Sequence, residues 1–310
     1  MSERNSKAAA AIRFDNRVAL ITGAGRGLGR AHALAFAARG ARVVVNDLAK
    51  PSGAQQRSEV RTVVEEIRSR GGEARALECD VTDATAVAAM VDEVIRAWGR
   101  VDILVNNAGT LRDASFANMS LDDFSAVIQT HVLGTVNCTK ALWEHMRSRH
   151  YGRVVLTSSS SGLYGNFGQA NYGTAKAAML GLMNVLHHEG EKYDIRVNTL
   201  VPAAATQMTL GLLPDEAAAR LAPELVSPAA LYLCSENAPS RVILAAGAGC
   251  YARIFVTETE GICVRDEEAK PETIAARFDE ISDRNAETLI GDAWEQTRRF
   301  VAKAQARNED

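Results

Sequence analysis

The sequence has no Cys-x-x-Cys pair and no cysteine and histidine cluster at metal-ligand spacing. Its five cysteines (Cys79, Cys138, Cys234, Cys250, Cys263) are odd in number and scattered. This excludes a disulfide framework, gives no metal site to expect, and reads as reduced, mostly buried thiols. Positive charge is not in excess either: 35 Lys and Arg stand against 38 Asp and Glu, a net charge of -3. A nucleic-acid partner, which needs a concentrated basic face, is therefore not expected. No apolar run approaches membrane-spanning length, and the run nearest the N-terminus, residues 8–12, is too short for a secretory core. The expectation is a cytoplasmic chain with no membrane partner. The closing residues "ARNED" match no carboxy-terminal address. Internal repeats and low-complexity segments are also missing.

What is present is globular: 310 residues, 47% hydrophobic and 24% charged, enough for one large α/β domain or two small ones. Short β-branched runs recur, "VALIT" from Val18, "VVV" from Val43, "DILV" from Asp102, "VVLTS" from Val154, "IRVNTLV" from Ile195 and "VILAA" from Val242. Their apolar, non-alternating character suits strands covered on both faces. Between them stand helical stretches, among them "VRTVVEEIRSRGG", "AVAAMVDEVIRAWG" and the long "LDDFSAVIQTHVLGTVNCTKALWEHMRSR". Such alternation predicts right-handed βαβ units and a Rossmann-type, doubly wound parallel sheet. The expected organisation is a tail over residues 1–13, a dinucleotide-binding domain over 14–250, and a helical extension over 251–310. In the extension, "AETLIGDAWEQTRRFVAKAQ" carries helical periodicity.

"VALITGAGRGLGRAHALAF" runs from strand through glycine-rich turn to helix, with Gly23, Gly27 and Gly29 in the order T-G-x-x-x-G-x-G. A helix N-terminus opened by such a turn can hold a pyrophosphate through backbone N–H groups and its dipole. Eighteen residues after Gly29, at the end of the second strand, Asp47 can accept hydrogen bonds from ribose hydroxyls and would repel a 2'-phosphate. Arg26 argues the other way, since a guanidinium could neutralise that phosphate. Asp47 is given more weight because a like-charge contact costs more than an optional surface pair gains, so NAD is the expected cofactor.

Two tyrosines lie in "YGNFGQANYGTAK", residues 164–176. Oxidising a secondary alcohol needs a base for its hydroxyl proton, and a phenol with a pKa of about 10 is a poor one near neutrality. A lysine four residues later on the same helix, together with an oxidised nicotinamide, would stabilise the phenolate. Tyr172 has Lys176 at that spacing; Tyr164 has Gly168, and so reads as a substrate-side or packing residue.

The T-G-x-x-x-G-x-G turn, "CDVTD", "NNAG" and Y-x-x-x-K, in this order over about residues 14–250, resemble the short-chain dehydrogenase/reductase family. That resemblance implies a catalytic Ser159, Tyr172 and Lys176, with Lys176 also holding the nicotinamide ribose. It implies cofactor contacts at Gly23, Arg26, Gly27, Leu28, Gly29, Asp47, Asp80, Val81, Asn107, Ala108, Gly109, Tyr172 and Pro202. Asp80 and Val81 would flank the adenine. Ser158, Ser160 and Ser161 read as a solvated turn. His131 stands where many members have a relay asparagine, either as a satisfied core histidine or passing the proton through water. "VPAAAT" has Ala203 in place of the usual glycine, with Thr206 able to reach the cofactor.

"NNAGTLRDASF" and "WEHMRSRHYGRVVLTSSSSGLYGNFGQANY" further resemble the dehydrogenase domain of the peroxisomal multifunctional enzyme type 2 group. This narrower likeness implies oxidation of (3R)-3-hydroxyacyl-CoA, or alternatively of 17β-hydroxysteroids, by a homodimer or homotetramer. Residues 204–225 would form the substrate lid, with Met208, Leu210, Leu212 and Leu213 equally suited to an acyl chain, a steroid face, or packing on the sheet. The rival from another class is a catalytically silent dinucleotide-binding protein.

Overall fold

The computed structural model describes residues 11–49, 58–205 and 215–307. Eight strands form one sheet in the order β3-β2-β1-β4-β5-β6-β7-β8. They are β1 (Val18–Ile21), β2 (Arg42–Asp47), β3 (Ala74–Glu78), β4 (Ile103–Asn106), β5 (Gly152–Thr157), β6 (Ile195–Pro202), β7 (Ile243–Gly247) and β8 (Cys250–Ile254). β1 to β7 pair in parallel, and the chain reverses its direction of travel across the sheet between β1 and β4. A crevice opens at such a switch point, beyond the carboxyl ends of the strands.

Helices cover both faces: α1 (Gly27–Ala38), α2 (Glu59–Ser69), α3 (Ala84–Trp98), α4 (Leu121–Ile128), α5 (Gly134–Arg149), α6 (Ser160–Tyr164), α7 (Ala170–Gly190), α8 (Asp215–Arg220) and α9 (Ser227–Leu233). Their sequences explain their places. α2 buries Val60, Val63, Val64 and Ile67 at helical spacing while its charged residues face water. α3 starts where Asp83 accepts hydrogen bonds from the backbone of Thr85 and Ala86. Every residue of β1, β4 and β5 is buried, as strands sandwiched between helices require.

Three expectations are adjusted. The stretch read as one long helix is interrupted between α4 and α5 by a π-helical turn, Gln129–Leu133. β3 and β8 are additional strands; their mostly half-buried or exposed residues give no continuous apolar run to read. The helix in the C-terminal run begins only at α12 (Ala293–Arg307), preceded by α10 (Pro271–Ala276) and α11 (Phe278–Ile281). Asp292 Oδ1 accepts from Glu295 N at 2.7 Å, which caps α12 there.

The chain divides into two compact units, Met1–Arg253 and Ile254–Asp310. In the second, Glu258 and Thr288 pair through their backbones, and Glu260 takes salt bridges from Arg299 at 3.0 Å and Lys303 at 2.8 Å. No helix among the described residues is long and apolar enough to cross a membrane. The five cysteines are free, three buried and two, Cys250 and Cys263, exposed.

Candidate active site

Between β1 and α1 the backbone itself forms a cradle. Gly23 has φ +62°, and a Cβ there would lie 2.8 Å from Ala108 Cα; a Cβ on Gly29 would lie 2.2 Å from Gly23 O. Neither position admits a side chain. α1 then starts at Gly27 with no side chain capping its first turn, so its leading N–H groups point to an anion site. Thr22 and Asn107 tie this turn to the loop after β4. Thr22 Oγ1 accepts from Asn107 N and Ala108 N, both at 3.0 Å, and Asn107 Nδ2 donates to Thr22 O and Gly23 O, also at 3.0 Å. Asp47, at the end of β2, is pinned as well: Gly25 N donates to its Oδ2 at 2.9 Å and Leu48 N to its Oδ1 at 2.8 Å.

These parts enclose a cleft of about 820 Å³ lined by Gly23, Arg26, Gly27, Leu28, Asp47, Asp80, Val81, Asn107, Ala108 and Gly109. Ten expected cofactor residues from four separate stretches thus share one cavity. Gly29 lies buried behind the turn, and Pro202, half-buried at the end of β6, does not line the cleft. Thr206, Met208, Leu210, Leu212 and Leu213 fall outside the described residues. The cleft is also lined by Asn46, Cys79, Thr110 and Arg112, which motif spacing did not single out.

The chemical cluster is carried on α6, α7 and the π-helical turn. Tyr172 sits in the first turn of α7, and Lys176 Nζ lies 5.5 Å from its ring centroid. Ser159 caps α6 and accepts from Ser161 N at 3.2 Å, and its side chain acts on the Tyr172 phenol in the lowering direction. His131 meets the Tyr172 ring edge-on, centroids 5.2 Å apart at 81°. Its Nε2 lies 2.8 Å from Thr110 O and 3.1 Å from Thr110 N, while its buried Nδ1 has no hydrogen-bond partner. Gly109 is required here, since a Cβ on it would come within 2.2 Å of His131 Cε1.

The serine run does not behave as a uniform solvated turn. Ser158 is 1% exposed and donates to Lys176 O at 2.7 Å, fixing α7 to the end of β5. Ser161 donates to Gln169 Oε1, and of the four serines only Ser160 is exposed. The correction follows from contacts between residues eight to eighteen positions apart, which a local pattern does not carry.

Burial dominates the electrostatics. Lys176 is buried with a hydrogen bond to Thr157 O at 2.7 Å and no carboxylate partner among the described residues, and burial pushes its ammonium down to about 7. His131 is held down at about 3, by burial first and then by the Lys176 charge, so it is neutral throughout the working range. Tyr172 is raised by burial; the Ser159 hydrogen bond opposes this and Asp113 adds to it. The protein's own groups therefore do not depress the phenol. The lowering expected from the lysine needs the further positive charge of an oxidised nicotinamide.

The geometry agrees with what similar proteins are named for. The sequence pattern of the family described as short chain dehydrogenase matches residues 17–216. The chain belongs to this short-chain dehydrogenase family. It is an oxidoreductase of the class acting on CH–OH groups. The peroxisomal multifunctional enzyme type 2 of Drosophila melanogaster is 44% identical over 267 residues, 85% of this chain and 44% of that protein. Its solved full-length structure superposes with a TM-score of 0.80 over 95% of this chain and 50% of that one, at 34% identity. This short-chain dehydrogenase therefore spans about half the length of that relative or less. A short-chain type dehydrogenase/reductase of Mycobacterium tuberculosis is 41% identical over 89% of this chain and 97% of its own length. A 7α-hydroxysteroid dehydrogenase, solved with NADH and 7-oxo glycochenodeoxycholic acid, is 31% identical with a TM-score of 0.69 over 76% of this chain and 95% of that chain.

Proposed function

We propose that this short-chain dehydrogenase is NAD-dependent and oxidises the 3-hydroxyl of a (3R)-3-hydroxyacyl thioester. The observation that carries the reading is the convergence of Ser159, Tyr172 and Lys176 near a cleft whose far end holds a backbone-pinned carboxylate. The glycine cradle fits a dinucleotide: a Cβ would fill it at Gly23 or Gly29, and the open first turn of α1 offers donors to a pyrophosphate. Asp47 would receive the adenosine ribose hydroxyls, and Asp80 and Val81 would flank the adenine. When bound, oxidised nicotinamide supplies the hydride acceptor and a positive charge.

The chain's own residues do the rest. Ser159 Oγ donates to the substrate oxygen and holds it against Tyr172. The Tyr172 phenolate takes the hydroxyl proton as the carbinol is oxidised. Lys176, fixed by Thr157 O, offers a positive charge beside the phenolate in its protonated form and would reach the nicotinamide ribose. His131, neutral and tied through Nε2 to Thr110, braces the tyrosine ring and leaves Nδ1 free for a water.

The thioester assignment draws on the likeness to the multifunctional enzyme type 2 dehydrogenase domain. A hydroxysteroid is the second reading, favoured by the structural likeness to a hydroxysteroid dehydrogenase. NADH formation with (3R)- and (3S)-3-hydroxyacyl-CoA and a 17β-hydroxysteroid separates the two. Turnover of the (3R) thioester is expected to exceed both others, and binding of NAD with no turnover of any secondary alcohol would leave only a silent dinucleotide-binding protein.

Cofactor choice has its own test. Asp47→Ala is expected to narrow the NAD over NADP preference in kcat/KM by about tenfold, the equivalent of roughly 1.4 kcal/mol. A wild type that already prefers NADP would give the deciding role to Arg26 instead.

A further inference from the structure

The loop after β4 is sewn to the loop that leads into α7. Ala114 N donates to Gly168 O at 3.0 Å, Asn171 Nδ2 to Arg112 O at 2.8 Å, and Gln169 Nε2 to Asp113 Oδ2 at 2.7 Å. Gln169 is held from its other side, where Oε1 accepts from Ser161 Oγ at 2.7 Å and Asn166 Nδ2 at 3.1 Å. Asn171 is fully buried and Gln169 nearly so. The strap thus fixes the Asp113 carboxylate against the residue that lies just under one helical turn before Tyr172.

Asp113 is exposed, so its charge is screened by water rather than by a cation. Arg112 is engaged with Asp123 at 2.8 Å, and no cation among the described residues forms an ion pair with Asp113. Apolar rings stand on the same two loops and on the end of α6: Phe116, Phe167 and Tyr164 are 78%, 90% and 74% exposed. Apolar rings beside a fixed carboxylate would favour a substrate that is uncharged around its carbinol and apolar beyond it. The carboxylate would repel one that carries an anion next to the reacting carbon.

We propose that Asp113 is a specificity residue that rejects free hydroxy acids and admits the same acids masked as thioesters, or other neutral secondary alcohols. In a free 3-hydroxy acid the carboxylate is two bonds from the reacting carbon, whereas the phosphates of a thioester carrier lie far along the chain. The inference rests on the oxidoreductase reading above and narrows its substrate class. The same carboxylate also acts on the base. Lys176 from α7 and His131 from the π-helical turn stand beside the Tyr172 ring, and on its phenol burial acts first, upward, then Ser159 downward and, least, the Asp113 charge upward.

The test compares a neutral N-acetylcysteamine thioester of 3-hydroxybutyric acid with the free acid, in the full chain with saturating NAD. The wild type is expected to favour the thioester in kcat/KM. Asp113→Asn keeps an oxygen for Gln169 and removes the charge; it should raise the ratio of kcat/KM for the free acid to that for the thioester by about tenfold. The rise of kcat/KM with pH should also move to lower pH in this variant. Asp113→Glu should retain the discrimination, and salt should weaken it in the wild type. Equal changes for both substrates in Asp113→Asn, or a wild type that handles acid and thioester alike at every salt concentration, would overturn the proposal. Failure of the functional reading looks different: the wild type then oxidises neither the thioester nor any neutral secondary alcohol.

Discussion

Tyr172→Phe is expected to lower kcat by about 10³-fold while leaving NAD affinity within about threefold of wild type. The substitution deletes one oxygen and little else. The ring that meets His131 edge-on stays, and so does the packing against Lys176. Lost is the hydroxyl that would accept the proton. The dinucleotide cleft is lined by the glycine turn, Asp47 and the loop after β4, which the substitution leaves in place, so binding has little reason to follow turnover. Steady-state kinetics together with a fluorescence titration of NAD check both halves. A Phe variant that keeps more than about a tenth of the wild-type kcat would remove Tyr172 from the role of base.

The parts of this site that lie close together in the chain are legible in the sequence. The glycine cradle is one turn, and the distance from Tyr172 to Lys176 is one turn of α7, so residue spacing alone carries the geometry. Asp47 could be read because a carboxylate at the end of the second strand has a fixed relation to that turn, here realised through Gly25 N. The remainder depends on contacts across the fold. Thr22 acts through Asn107 from the far side of β1, Ser158 acts through the backbone of Lys176, and Asp113 reaches Gln169 from another loop. None of these pairings leaves a periodic trace. Hydrophobic pattern also fails where it does not change: apolar residues continue through the π-helical turn, so one helix was read where two helices and a bulge stand. That bulge carries His131 and its free Nδ1, in keeping with the tendency of π-turns to fall at functional positions.

The buried lysine leads to a second large effect, in which activity and stability separate. Lys176→Met is expected to reduce kcat/KM by about 10³-fold, since it removes the charge beside the phenolate. In the free protein the same charge opposes folding: Lys176 lies in the interior with one carbonyl for a partner and is pushed down to about 7. The unfolded chain, with a lysine near its ordinary value of about 10.4, therefore binds more protons than the folded chain between these two limits. Stability must rise with pH across that window, by up to about 1.4 kcal/mol per pH unit from this group, and the contribution is fully lost once pH falls below about 7. Denaturant unfolding of the free protein at several pH values between about 7 and 10 reads this directly. The wild-type midpoint should climb more steeply with pH than that of Lys176→Met, whatever constant offset comes from losing the bond to Thr157 O. Parallel slopes would mean that the lysine is solvated or paired in solution. A steeper wild-type slope together with lost turnover would identify Lys176 as a group kept for chemistry at the expense of the fold, in the way active sites commonly hold destabilising charges.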